Sequence, residues 1–162
     1  MKSALIVIDV QNFHINSKTS ELPKKIDELI KSHQFDYILF TQFINKKNSN
    51  FVKKLQFKKM FNSLDVDIYK SLQKYLKNNN VFTKTSYSIF KSDKFVRFLK
   101  ANRIKKLFLC GFDYDACVLA SAFEAFDLGY DVRVLTDLTL SHTHENFNKA
   151  ANIIVNKIFK KN

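Results

Sequence analysis

The chain has 162 residues, 46% of them hydrophobic, which suits one domain with a core of ordinary size; proline and glycine together number three (1 + 2), which leaves no material for a flexible linker. The net charge of +12 comes almost wholly from lysine, scattered in pairs such as Lys24-Lys25, Lys58-Lys59 and Lys105-Lys106, so it reads as solvated faces and argues against nucleic acid as the main partner. Two cysteines seven apart with no CxxC exclude a disulfide framework, and the apolar run before Asp9 is too short for a signal peptide or a membrane span; a cytoplasmic protein with no membrane partner is expected.

Ala4 to Ile8 is a continuous apolar run of branched residues, the pattern of a buried parallel strand. Leu22 to Ile30 has helical spacing, with Pro23 suited to the first turn. Tyr37 to Thr41 reads as a second strand, Asn45 to Phe61 as a lysine-rich loop with short helical pieces, and Val66 to Leu76 as helical. Val81 to Lys84 is a short third strand. Ser92 is placed to cap a helix from Asp93 to Lys100. Leu107 to Gly111 is a fourth strand, Ala116 to Leu128 a helix stopped by Gly129, and Val132 to Leu135 a fifth strand. His144 to Phe159 forms a last amphipathic helix with Phe147, Ala150, Ala151, Ile154 and Ile158 on one side; alternatively Ile153 to Phe159 contributes to a sixth strand.

Strands alternating with helices predict a single α/β domain over residues 1–162, a three-layer α/β/α arrangement around an open, mostly parallel sheet of five or six strands. Ligands of such sheets bind at the carboxyl ends of the strands, near the point where strand order reverses. Asp9 follows the first strand, Lys84 closes the third, and Cys117 lies just beyond the fourth at a helix start. Each has an ordinary alternative: a turn-capping Asp, a solvated Lys, a small buried thiol. Cys110, inside an apolar strand, fits that last description. Cys117 differs, because a helix start favours a thiolate.

Three segments resemble the isochorismatase-like (nicotinamidase-related) cysteine hydrolases. Ile6-Val7-Ile8-Asp9-Val10-Gln11-Asn12-Phe13 is similar to that family's opening strand and Asp, Lys84-Thr85-Ser86-Tyr87-Ser88-Ile89-Phe90 to its Lys loop, and Gly111-Phe112-Asp113-Tyr114-Asp115-Ala116-Cys117-Val118 to its nucleophile segment. The resemblance runs on through Ala122, Ala125, Gly129, Tyr130, Val134 and Asp137. It implies a triad of Asp9, Lys84 and Cys117 that cleaves a small amide or related C–N bond through a thioester. It also implies an oxyanion hole from the backbone N–H groups of Asp113 and Cys117, with a cis peptide between Phe112 and Asp113. Phe13, Tyr87, Asp113 and Tyr114 would line the substrate site. The alternatives are a vinyl-ether hydrolase, a binding or scaffold protein that has kept the fold without efficient turnover, and a thiol redox protein.

The chain departs from the family at Asp113, where a small residue is usual, and at Tyr114, where Thr is usual. Metal-binding nicotinamidases carry Asp-x-His and further histidines after the second strand. Here that stretch reads Thr41-Gln42-Phe43-Ile44-Asn45-Lys46, with no histidine from 34 to 141. No metal and no cofactor is therefore expected, and His14, His33, His142 and His144 read as surface or capping residues. The family's relatives often associate, and seventeen phenylalanines are many for this core. A homodimer is expected, with the segment Phe51 to Phe61 as its contact or, alternatively, as a lid over its own pocket.

Overall fold

A computed structural model describes residues 1–62 and 64–159. Five strands form one parallel sheet in the order β3-β2-β1-β4-β5: β1 (Lys2–Ile8), β2 (Tyr37–Phe43), β3 (Val81–Lys84), β4 (Ile104–Gly111) and β5 (Asp131–Thr139). The helices are α1 (Leu22–Ser32), α2 (Asn50–Leu55), α3 (Asp93–Ala101), α4 (Leu119–Asp127) and α5 (Glu145–Ile158). A sixth strand is absent among the described residues, and residues 153–158 belong to α5.

The two-residue period of β1 divides the core. Ala4, Ile6 and Ile8 face one layer with Phe95 and Leu99 of α3, Ala122 and Ala125 of α4, and Ala151 and Val155 of α5. Leu5 and Val7 face the other, with Leu22, Ile26 and Ile30 of α1 and Leu72 beside them. Both faces are covered, which is why the strand reads as an unbroken apolar run. β1 lies between β2 and β4, so the chain turns one way to build β2 and β3 and the other to build β4 and β5. The strand order reverses at β1, and its carboxyl end opens the crevice where such sheets bind ligands.

Gly111 sits at that crevice. Its φ is +113°, and a Cβ there would come within 2.1 Å of the Ile8 carbonyl oxygen, so only glycine lets β4 end this close to β1.

Several elements differ from their expected form. Residues 70–75 make 3-10 turns instead of an α-helix, because Ile68 pairs with Gln11 in an antiparallel bridge and draws the chain across the sheet end. Ser92 occupies the N-cap position of α3 without a capping side-chain bond. Cys117 falls within a π-helical turn, Tyr114–Val118, that precedes α4. On α5 the buried residues are Ala151 and Val155, while Phe147, Ile154 and Ile158 are exposed.

Candidate active site

The site is built from the ends of β1, β3 and β4. Asp9 leaves β1 with φ +49°, a left-handed conformation that Asp tolerates better than branched residues, and this turns its carboxylate into the crevice. Thr41 on the neighbouring strand holds it: the Thr41 hydroxyl donates to Asp9 Oδ1 at 2.6 Å and accepts from the Asp9 backbone N–H at 3.0 Å. Gln11 fixes the segment beyond. Its amide donates to the carbonyls of Phe43 and Val66 and accepts from the Phe43 N–H, so all three bonds run to backbone.

Lys84 ends β3, opposite Phe43 in the β2–β3 register. Its ammonium lies 2.6 Å from Asp9 Oδ2 and 3.3 Å from Cys117 Sγ, and donates to the Ser86 carbonyl at 2.9 Å. Burial disfavours that charge, but Asp9 and Cys117 beside it outweigh burial and hold Lys84 above its ordinary pKa. Lys84 is thus a fixed cation and not a proton carrier at neutral pH.

Burial acts on Cys117 more strongly than the cation does. It pushes the thiol up to about 12; Lys84 pulls the other way, and Asp9 partly cancels Lys84. Burial thus opposes the thiolate expected from a helix start, and the positive charge that would favour it is already matched by Asp9 at 2.6 Å. The acid, the cation and the thiol do converge. Cys110 lies fully buried in β4, where burial alone raises its thiol.

These groups open onto a cavity of about 290 Å³. Phe13, Phe43, Phe51, Phe57, Met60 and Tyr87 form its apolar wall, and Asp9, Asp113, His14, His142 and Cys117 its polar side. Of the residues expected to line it, Phe13, Tyr87 and Asp113 are present. Tyr114 is not: it is buried in the core beneath α5, with its hydroxyl 3.4 Å from Asn152 Oδ1. The Phe112–Asp113 peptide is cis, as the resemblance implies, and the π turn follows it directly, sending Asp113 to the cavity and Tyr114 inward.

The segment Phe51 to Phe61 also faces this cavity. Phe51, Phe57 and Phe13 pack against Phe43, Met60 and Val66, so the segment is a lid over its own pocket. Asn45, which precedes the segment, pins its far end, its backbone N–H donating to Met60 O at 2.7 Å and its side-chain amide to the Phe57 and Lys59 carbonyls. This is the lid alternative, and it removes the phenylalanine surplus that argued for a contact surface here. The same residues after β2 offer no imidazole or carboxylate, and so do not fit the metal that some nicotinamidases carry there.

The histidines divide. His33 is exposed and His144 caps α5 by accepting from the Asn146 N–H, as expected. His14 and His142 are neither surface nor capping groups. His14 is 6% exposed and stacks on Phe112 at 5.5 Å between ring centres, and His142 meets it edge-on at 5.0 Å. Between them lies Asp113, whose carboxylate accepts from His142 Nδ1 at 2.8 and 2.9 Å and from the His142 backbone N–H at 2.9 Å. Burial opposes its charge, but the His142 bonds win and hold the Asp113 carboxyl below its ordinary value.

A parallel sheet that brings an acid, a cation and a thiol to its switch point has the layout of an α/β enzyme. Residues 3–160 match the isochorismatase domain model, and the chain belongs to that family, whose members are hydrolases acting on amides and related C–N bonds. Among solved structures it is similar to an isochorismatase-like hydrolase from Alkaliphilus metalliredigens (TM-score 0.83, 22% identity, 99% of this chain and 93% of that one). It is also similar to a nicotinamidase from Bacillus subtilis (TM-score 0.80, 22% identity, 98% and 97%) and to N-carbamoylsarcosine amidase from Thermoplasma acidophilum (0.83, 18%, 98% and 93%). A curated relative, isochorismatase domain-containing protein 2 of Xenopus laevis, is 31% identical over 62 residues. That match spans 38% of this chain and 30% of the relative.

Proposed function

We propose that this chain is a cysteine hydrolase that cleaves a small amide or related C–N bond through a thioester on Cys117. The observation that carries this reading is the position of the Lys84 ammonium, in contact with both the Asp9 carboxylate and the Cys117 sulfur, two groups that line a largely apolar cavity. A resting thiol next to a buried carboxylate is a nucleophile paired with its base. Asp9 takes the thiol proton as the sulfur attacks the substrate carbonyl, and Lys84 holds the thiolate by its charge. The backbone N–H groups of Asp113 and Cys117 receive the oxyanion. The tetrahedral adduct expels its amine, which takes the proton from Asp9. Water, giving its proton to Asp9, then splits the thioester to a carboxylic acid and the free thiol.

The cavity volume limits the substrate to a small molecule, with an apolar or aromatic body against Phe13, Phe43 and Tyr87. A panel of small aliphatic and aromatic amides, ureas and N-carbamoyl compounds, assayed for ammonia release, tests the reading. Turnover of one of them, abolished in Cys117→Ala and accompanied by an acyl adduct on Cys117 in the quenched wild-type protein, is expected. Turnover that survives Cys117→Ala rejects the covalent route, and a vinyl ether cleaved in place of every amide moves the chain to the isochorismatase-type reaction.

A further inference from the structure

We propose that His14, Asp113 and His142 form a binding site for one divalent transition-metal ion on the wall of the cavity. The site does not depend on whether Cys117 turns over, and it lies away from the residues after β2. Its three side chains come from three segments: the short turn after β1, the turn after β4, and the loop between β5 and α5. They offer one ligand atom each, and these atoms lie within 4.8 Å of one another.

Two imidazoles and a carboxylate on one side of an ion, with other positions open, are a recurrent set for zinc, iron(II) and their neighbours. Metal–ligand bonds of about 2.0–2.2 Å at ordinary angles place neighbouring ligand atoms about 3–3.5 Å apart. Asp113 Oδ1 and His142 Nδ1 are 2.8 Å apart and Asp113 Oδ2 and His14 Nε2 are 3.9 Å apart, so small side-chain rotations close the set. In the metal-free protein the His142 Nδ1 proton occupies the place between imidazole and carboxylate that the ion would take.

Two further observations point to a ligand and not to a plain hydrogen-bonded cluster. His14 is 94% buried (100 − 6), yet its Nδ1 has no hydrogen-bond partner and its Nε2 stops 3.9 Å short of the carboxylate. Coordination through Nε2 would give this buried ring the close polar partner that it lacks. The rings are also set before any ion arrives: Phe112 stacks on His14, Phe13 packs against both imidazoles, and the His142 backbone N–H orients the carboxylate. Open positions of the ion would face the cavity, available to water or to a donor atom of the substrate.

Full-length protein stripped with EDTA and dialysed against zinc, manganese or cobalt(II) alone tests the site, with metal counted per chain. One equivalent of zinc or cobalt is expected at micromolar free ion. Affinity should fall more than ~10-fold in His14→Phe and in His142→Gln, since even outer-shell partners are worth that much. His142→Gln keeps a donor toward Asp113, and its thermal melt shows whether the fold is retained. Cys117→Ala should still bind one equivalent, and the cobalt spectrum should lack a thiolate charge-transfer band. No stoichiometric uptake overturns the proposal, as does binding that survives both histidine variants or is lost in Cys117→Ala.

Discussion

Replacing Lys84 by Met removes one member of a fully buried ion pair while keeping most of the side-chain volume. The ammonium and the Asp9 carboxylate are 0% and 1% exposed and 2.6 Å apart. At an effective dielectric of about 20 their attraction is about 6 kcal/mol, against which stands the cost of taking both from water. Loss of one partner of such a pair costs about 3–5 kcal/mol, because the other stays buried and unmatched. For a chain of this size that is a fall of roughly 6–20 °C in melting temperature. In the variant the Asp9 carboxylate keeps Thr41 as its close hydrogen-bond donor but has lost the cation 2.6 Å away. Adding Asp9→Asn removes the unmatched charge and should restore much of the loss at pH 8. Urea unfolding of the three proteins at pH 8 measures this. Equal stability of Lys84→Met and the wild type at pH 8, or no recovery in the double variant, would refute the reasoning.

Iodoacetamide should label Cys117 ahead of Cys110, because Cys117 opens to the cavity and Cys110 is enclosed in β4; the Cys117 rate should still be rising between pH 7 and 9, and a rate already level at pH 7 would mean that Lys84 outweighs burial. Asp27 is held well below the usual carboxylate range by Lys31, Lys74 and the Tyr75 hydroxyl, each within 2.7 Å. That stability is complete above about pH 4 and is lost as pH falls toward the depressed value, so the gap between wild type and Asp27→Asn should shrink from pH 5 to pH 3; a constant gap in urea midpoints would remove Asp27 from the acid response. Six of the eleven exposed large apolar side chains lie on α4 and α5, among them Phe126, Phe147, Ile153 and Ile158, so the homodimer expected from the sequence is proposed to use these helices. Light scattering should give a mass near 38 kDa, twice the 19.0 kDa chain, and Ile153→Lys should halve it, whereas a 19 kDa species in the wild type excludes the dimer.

Asp9 was legible because it follows an apolar run whose burial on both faces marks a strand, and Lys84 because it closes the short strand Val81–Lys84. Cys117 was legible through its segment, but its resting state was not, since the sequence cannot show that Asp9 already occupies the Lys84 charge. Tyr114 was misplaced for a local reason: it opens a π turn, which breaks the alternation by which neighbouring residues are assigned to sides. His14 and His142 look scattered because the contact between them depends on how β1 and β5 are ordered across the sheet, and neither carries a motif of its own. Of the stripe expected on α5, Ala151 is buried, but Val155 was missed and the larger Phe147 and Ile158 are exposed, because side-chain size alone does not fix which side of a helix meets the sheet.

The pinning of the lid by Asn45 separates two tasks along the chain. Residues 46–59 leave and rejoin the body at one point, sealed by bonds from a single side chain and its own backbone, and they supply cavity wall without supplying Asp9, Lys84 or Cys117. Such a segment is a cassette. Lengthening it costs little in closure entropy, about 0.6 kcal/mol for a doubling. Its sequence can drift, or be exchanged for that of a relative, while the chemistry behind it stays unchanged. Substrate range and reactive machinery can thus evolve at different rates within one small domain, and grafting between Asn45 and Met60 is the natural way to redirect this protein.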